Sequence, residues 1–284
     1  MVFAVEFSTT LRMKMRKNIV LIVVLFVLLF SVANAHQWFA ALEETREYKA
    51  GDTVPLVVYS THHFMVGEGI QDASRNAFFV LQDNKLTNTT VRTTRDEAKN
   101  SLTGSFTLPA GAPTMVVVNS VGRVANSTPL GSKAATKATV KAMGVSIAKT
   151  TFSEGWCKIY VNPSSQDKSF DKALGLPLEI VPVTNPTDMA IGKPAMFKVL
   201  LHGKPLRDTA INATYKSYNS KDEEAWAVKD IKTDANGQVT INIPSAQNAR
   251  DIWIVKAAYT GPVSGNPEYE EESYNSLVIF TVRK

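Results

Sequence analysis

The stretch Ala195-Met196-Phe197-Lys198-Val199-Leu200-Leu201, closed by His202-Gly203-Lys204-Pro205, decides the fold class. Successive side chains of a strand point to opposite faces, so Ala195, Phe197, Val199 and Leu201 share one face of a sheet. His202-Gly203 reads as a tight turn, and Ala210 to Tyr218 as the returning strand. Thr233-Asp234-Ala235-Asn236-Gly237 is a second turn, because Asn and Gly tolerate the positive φ that hairpins demand.

Working outward, the same alternation predicts strands at Leu178–Val181, Gln238–Ile243, Ile252–Tyr259 and Leu277–Val282. The first half offers Trp38–Leu42, Val54–Ser60, Ala77–Leu81, Thr103–Leu108 and Thr114–Ser120. Short strands separated by Gly, Pro, Asn and Asp clusters specify an all-β chain. The polar stretch from Asn162 to Lys168 has linker composition, so two β-sandwich modules are expected. These are residues 36–172 and 173–284, the second immunoglobulin- or transthyretin-like. Ser132 to Lys149 stands apart: Lys133, Lys137 and Lys141 recur every four residues, as on a solvated helix face, yet its Thr and Val suit a strand.

Residues 1–35 read as a signal peptide. Arg12, Lys14, Arg16 and Lys17 precede an apolar run, Ile19 to Val32, and Ala33-Asn34-Ala35 supplies the small residues of a cleavage site. The run is shorter than the ~20 residues a membrane-spanning helix needs. The expectation is an exported, periplasmic protein of a bacterium, not membrane-spanning once mature, that begins at His36. The whole chain carries a net charge of +5, and the leader holds four of its basic residues against one acid, Glu6. The remainder is nearly balanced and offers no concentrated basic face for nucleic acid. With a single cysteine, Cys157, no intramolecular disulfide can form, and its apolar neighbours make it a small buried side chain.

A further set of residues carries a resemblance. Leu174-Gly175-Leu176-Pro177-Leu178-Glu179-Ile180-Val181-Pro182, Asn185-Pro186, Gly203-Lys204-Pro205-Leu206 and Thr233-Asp234-Ala235-Asn236-Gly237 occur in order, with His63-Phe64 and a histidine at the mature start. The chain resembles the NikM-like family of exported proteins, a domain of unknown function associated with nickel and cobalt uptake. The resemblance implies a transition-metal-binding protein that supports uptake, with a membrane transporter or outer-membrane receptor as partner.

The residues make a separate case for metal. A histidine at a free N-terminus presents its amine and its imidazole from one residue, a chelate suited to nickel, cobalt or copper. A hairpin folded about Ala50-Gly51 would bring the start of the first strand beside His62, His63, Phe64 and Met65. Because consecutive strand side chains diverge, one of His62 and His63 should join His36. His63 is favoured by the family's histidine-phenylalanine pair, and Met65, on the same face, would suit copper. Glu68 and Asp72 are nearby oxygen donors with no distinguishing spacing, and His202 reads as a turn residue. No Gly-x-Ser-x-Gly, His-Glu-x-x-His, phosphate-binding glycine loop or Cys-x-x-Cys occurs, so no enzyme activity is expected. Two competing readings are a structural or interaction protein of the cell envelope and an oxidative copper enzyme built on the N-terminal histidine.

Overall fold

The computed structural model describes residues 37–44, 46–82, 85–110, 115–166, 169–218, 226–243 and 250–283. The signal-peptide reading, and with it His36, lies outside the described residues. From Gln37 onward the chain is one compact unit. Its strands are β1 (Gln37–Leu42), β2 (Thr53–Thr61), β3 (Asn76–Gln82), β4 (Lys85–Thr89), β5 (Arg92–Asp96), β6 (Ser101–Thr107), β7 (Met115–Thr128), β8 (Gly131–Lys133) and β9 (Lys149–Tyr160). They continue as β10 (Leu178–Pro182), β11 (Pro194–Leu201), β12 (Lys204–Pro205), β13 (Ala210–Tyr215), β14 (Val228–Lys232), β15 (Gln238–Asn242), β16 (Arg250–Pro262) and β17 (Glu271–Arg283). A short helix, α1 (Lys137–Ala142), interrupts them; Thr136 caps it by accepting the Thr139 N–H at 3.2 Å.

The strands form three sheets. One runs β1-β2-β6-β5, a second is built from β10, β11, β12 and β15, and a nine-stranded sheet runs β14-β13-β16-β17-β9-β7-β3-β4 with β8 on β7. This third sheet joins the two expected modules, because β17 of the second half pairs in parallel with β9 of the first, Leu277 opposite Cys157 and Ile279 opposite Ile159.

The large sheet is buried on both faces, and its sequence shows why. Val116 and Val118, Ile252 and Ile254, Leu277 and Ile279 join a core completed by Phe39, Leu56, Val58, Leu102 and Phe106 of the β1-β2-β6-β5 sheet. Their neighbours Met115 and Val117, Trp253 and Val255, Val278 and Phe280 join the opposite core, completed by Leu178, Ile180, Phe197, Val199 and Ile241. A strand covered on both sides reads as a continuous apolar run rather than an alternating one. Met115-Val116-Val117-Val118 and Leu277-Val278-Ile279-Phe280 are such runs.

All eleven strands anticipated from the sequence are present, with boundaries moved by up to eight residues. The segment from Ser132 to Lys149 divides between β8, α1 and the first residue of β9. The missed strand of consequence is β9, which crosses the middle of the large sheet between β7 and β17. Its polar residues conceal it, above all Lys158. That ammonium is 1% exposed and paired with the equally buried Glu179 carboxylate, and it also donates to the Ile180 carbonyl at 3.1 Å. Glu179 accepts the backbone N–H groups of Leu174 at 2.7 Å, Gly175 at 3.1 Å and Leu176 at 3.3 Å. Gly175 adopts φ +77°, the left-handed region that glycine enters without steric cost. The Leu-Gly-Leu-Pro-Leu-Glu motif is thus a loop folded onto its own glutamate and locked to β9.

Candidate functional site

The site lies where β1 begins and β2 ends. The two strands pair antiparallel, from Leu42 opposite Leu56 to Gln37 opposite Thr61. A hairpin about Ala50-Gly51 would set Gln37 against Phe64, so the observed register is three residues away from that expectation. The start of β1 is anchored. Trp38 donates from Nε1 to Asn76 Oδ1 at 2.9 Å, and a Cβ on Gly155 would meet its ring at 3.1 Å. Gln37 accepts from Lys256 Nζ at 2.9 Å.

Beyond Thr61 the chain leaves the strand and folds back. The Glu68 and Gly69 N–H groups both reach the Ser60 carbonyl, at 3.2 and 3.1 Å, and Val66 N–H donates to the His63 carbonyl at 3.2 Å. Met65 sits in this turn at φ 61° and packs, half-buried, against the core beneath β1 and β2. Gly67 is pressed against the neighbouring loop, where a Cβ would lie 2.0 Å from the Lys99 carbonyl oxygen.

The turn gathers donors around one carboxylate. Glu68 Oε2 lies 2.6 Å from His62 Nδ1, and Oε1 lies 3.2 Å from His63 Nδ1. Oε1 also accepts the His62 N–H at 3.1 Å and stands 2.9 Å from Thr61 Oγ1, which in turn accepts the His63 N–H at 2.9 Å. Burial raises the Glu68 pKa, but hydrogen bonds from the His62 side chain, Thr61, the His62 backbone and His63 outweigh it and hold the carboxyl at about 2. Side-chain exposure is 18% for His62, 39% for His63 and 26% for Glu68. The expectation that only one of the two histidines faces the site rested on strand alternation. That alternation does not reach the pair, because β2 ends at Thr61, and both imidazoles turn to the same glutamate; which of them meets His36 involves a residue outside the described ones.

A shallow cleft adjoins the pair. Phe39 and Ile254 are in its floor, and Trp226, Phe64 and Thr214 line it with His62 and His63. The Lys256 ammonium stands 5.8 Å from the Trp226 ring centre. Among the described residues, no group of three or more His, Cys, Asp or Glu side chains converges on a point that could hold a metal ion. His36, next in the chain to Gln37, is outside the described residues. Asp72 is committed to a turn: it accepts from Ser74 N at 2.9 Å and Ser74 Oγ at 2.8 Å, bonds that lower its pKa. His202 occupies the turn expected of it, at φ 48°, with Nε2 3.2 Å from Glu272 Oε1 and its ring edge-on to Tyr274. No helix among the described residues is long and apolar enough to cross a membrane.

Residues 33–261 match the family described as Domain of unknown function (DUF4198). No curated protein matches the chain. Among solved structures, the D0-D1 domain of Intimin is similar at 13% identity and a TM-score of 0.22, covering 85% of this chain and 97% of that one. A marsupial T cell receptor is similar at 11% identity and a TM-score of 0.22, covering 87% and 98%. The mouse nectin-like molecule 4 ectodomain is similar at 12% identity and a TM-score of 0.20, covering 88% and 65%.

Proposed function

We propose that this chain, which belongs to the DUF4198 family, is a periplasmic transition-metal-binding protein that holds nickel or cobalt and supports their uptake. The observation that carries the reading is the pair of imidazoles, His62 and His63, both turned to Glu68 at the end of β2. Nitrogen ligands of this kind favour late divalent ions, with copper the competitor that Met65 would assist. After cleavage behind Ala35, the His36 amine and imidazole would join His63 to complete the ligand set. The pairing of Gln37 with Thr61 supports that arrangement, because it sets the first described residue of β1 beside the turn that carries His62 and His63. An ion held by few ligands near the surface can pass to a partner, either a membrane transporter or an outer-membrane receptor. The resemblance to the NikM-like family supports the choice of nickel and cobalt. The protein itself has no catalytic part in this reading.

The test is calorimetric titration of protein recovered from the periplasm, its N-terminus established by sequencing, with nickel, cobalt and copper. One ion per chain is expected, with affinity falling at least about tenfold in His36→Ala and in His63→Ala, since losing even an outer partner of a ligand typically costs about 10- to 100-fold. Absence of binding, or binding unchanged in both variants, defeats the reading. The lack of a three-donor cluster among the described residues favours a second reading, a structural or interaction β-sandwich of the cell envelope. A metal-free protein of full stability that takes up none of the three ions and captures a protein or glycan partner would favour it.

A further inference from the structure

Glu68 does more in this geometry than hold a turn. Its two oxygens take donors alone: the His62 N–H at 3.1 Å, with Thr61 Oγ1 at 2.9 Å and the two imidazole Nδ1 atoms at 2.6 and 3.2 Å, the surroundings of a carboxylate. A carboxylate accepts hydrogen bonds and cannot donate them, so every nitrogen facing it must carry a proton. The two facing nitrogens are His62 Nδ1 and His63 Nδ1. In a neutral imidazole only one nitrogen is protonated, and the other keeps the lone pair that binds a metal.

We infer that Glu68 is a positioning residue that sets both His62 and His63 as Nδ1–H tautomers, with Nε2 of each ring as the metal-donating atom. The purpose of this arrangement rests on the metal-binding reading above, whereas the tautomers themselves rest on the hydrogen bonds. Outer carboxylates that fix the ring and raise its basicity are a recurrent partner of metal-binding histidines. Here one carboxylate serves two adjacent rings, each oxygen taking one Nδ1.

The split between the two oxygens yields a discriminating variant. Oε1 serves three donors, Thr61 Oγ1, His62 N–H and His63 Nδ1, while Oε2 faces His62 Nδ1. In Glu68→Gln the amide oxygen takes the Oε1 position, where acceptors are demanded, and the NH₂ group replaces Oε2. That group donates, so His62 must present Nδ1 as an acceptor and move its proton to Nε2. His63 keeps its tautomer. A role confined to the turn would leave both rings unchanged, because the amide oxygen still satisfies Thr61 and the His62 N–H.

Long-range proton–nitrogen NMR of the metal-free protein, at a pH where the spectra show neutral rings, reads each tautomer directly. Nδ1–H in both rings of the natural protein, with His62 alone switched to Nε2–H in Glu68→Gln, is the expected result. Backbone amide signals of Val66 and Gly69 at their natural positions would show that the turn is intact. An Nε2–H tautomer in either ring of the natural protein, or an unswitched His62 in an intact Glu68→Gln, overturns the inference. Nickel titration of the same two proteins then separates the claims. A roughly 10- to 100-fold loss of affinity in Glu68→Gln supports the positioning role. If the tautomers are as stated but nickel does not bind the natural protein, the metal reading fails and the tautomer assignment stands.

Discussion

Replacing Glu179 with glutamine should destabilise this protein severely, and removing Lys158 as well should restore much of the loss. The single change Glu179→Gln preserves one oxygen for the Gly175 and Leu176 N–H groups, but it turns an NH₂ group toward the Leu174 N–H and strips Lys158 of its counter-charge in a site 1% exposed. Burial already pushes the Lys158 pKa down, and Glu179 is the charge that opposes it. Breaking such a pair from one side costs about 3–5 kcal/mol, against a total stability on the order of 5–15 kcal/mol. Lys158→Met alone leaves a carboxylate that retains three backbone donors, so its cost is smaller, about 2 kcal/mol. The double variant buries no unpaired charge, and an apolar or neutral replacement of a buried pair is often close to neutral. Its cost should be about 1–2 kcal/mol rather than the 5 or more that additivity demands. Urea unfolding of the four proteins measures this coupling through the midpoint, with the slope required to stay constant across the set. A double variant as unstable as the sum of the singles, or a Glu179→Gln protein weakened by less than about 1 kcal/mol, would refute the argument.

Three further outcomes follow from the same structure. The folded-state pKa of Glu68, about 2, lies below its ordinary 4.5, so its stabilisation is complete above pH 4.5 and disappears as the pH falls from there to about 2. Acid titrations of unfolding should show this component at about 1 kcal/mol after solvent screening, and Glu68→Gln should remove it from that window. Cys157 is fully buried, its Sγ–H donates to the Ala40 carbonyl at 3.2 Å, and burial pushes its pKa to about 12. A disulfide-exchange reagent should therefore label it only at the rate of unfolding, and fast labelling of the native protein would contradict its place in the core. Gly67→Ala should cost about 1–3 kcal/mol in thermal unfolding, because a Cβ there lies 2.0 Å from the Lys99 carbonyl and the backbone must shift. An unchanged melting temperature would show that the 62–69 turn is not held against that loop.

Much of the fold was legible because alternation at period two is a local signal. The strands around Phe197, Val239 and Leu56 each cover one core and announce themselves. Less legible was the large sheet that unites the two halves. Its apolar runs at Met115–Val118 and Leu277–Phe280 were read only as further alternating strands, and which distant strand completes each face is not a property of the run itself. β9 escaped because a buried ion pair looks like surface sequence until its partner, 21 residues away, is known. At the site, His62 and His63 were identifiable as the histidines near the start of β1. The role of Glu68 was not, because a turn that ends strand alternation at Thr61 can be recognised only once its hydrogen bonds to Ser60 and Thr61 are seen. The motif containing Glu179 was recognised first as a family resemblance. Physically it is a self-capping loop, which explains why Gly175 precedes the strand and Glu179 lies inside it.

The central claim is that a nickel or cobalt ion is held between the mature N-terminal histidine and the His62–His63 turn. A crystal structure of the exported protein loaded with nickel, with anomalous data at the nickel edge, tests this most directly. The account predicts one peak at full occupancy, bonded to the His36 amine and imidazole and to Nε2 of His63, with Glu68 still on Nδ1. A peak elsewhere, or a loaded crystal in which neither His36 nor His63 contacts the metal, would contradict it.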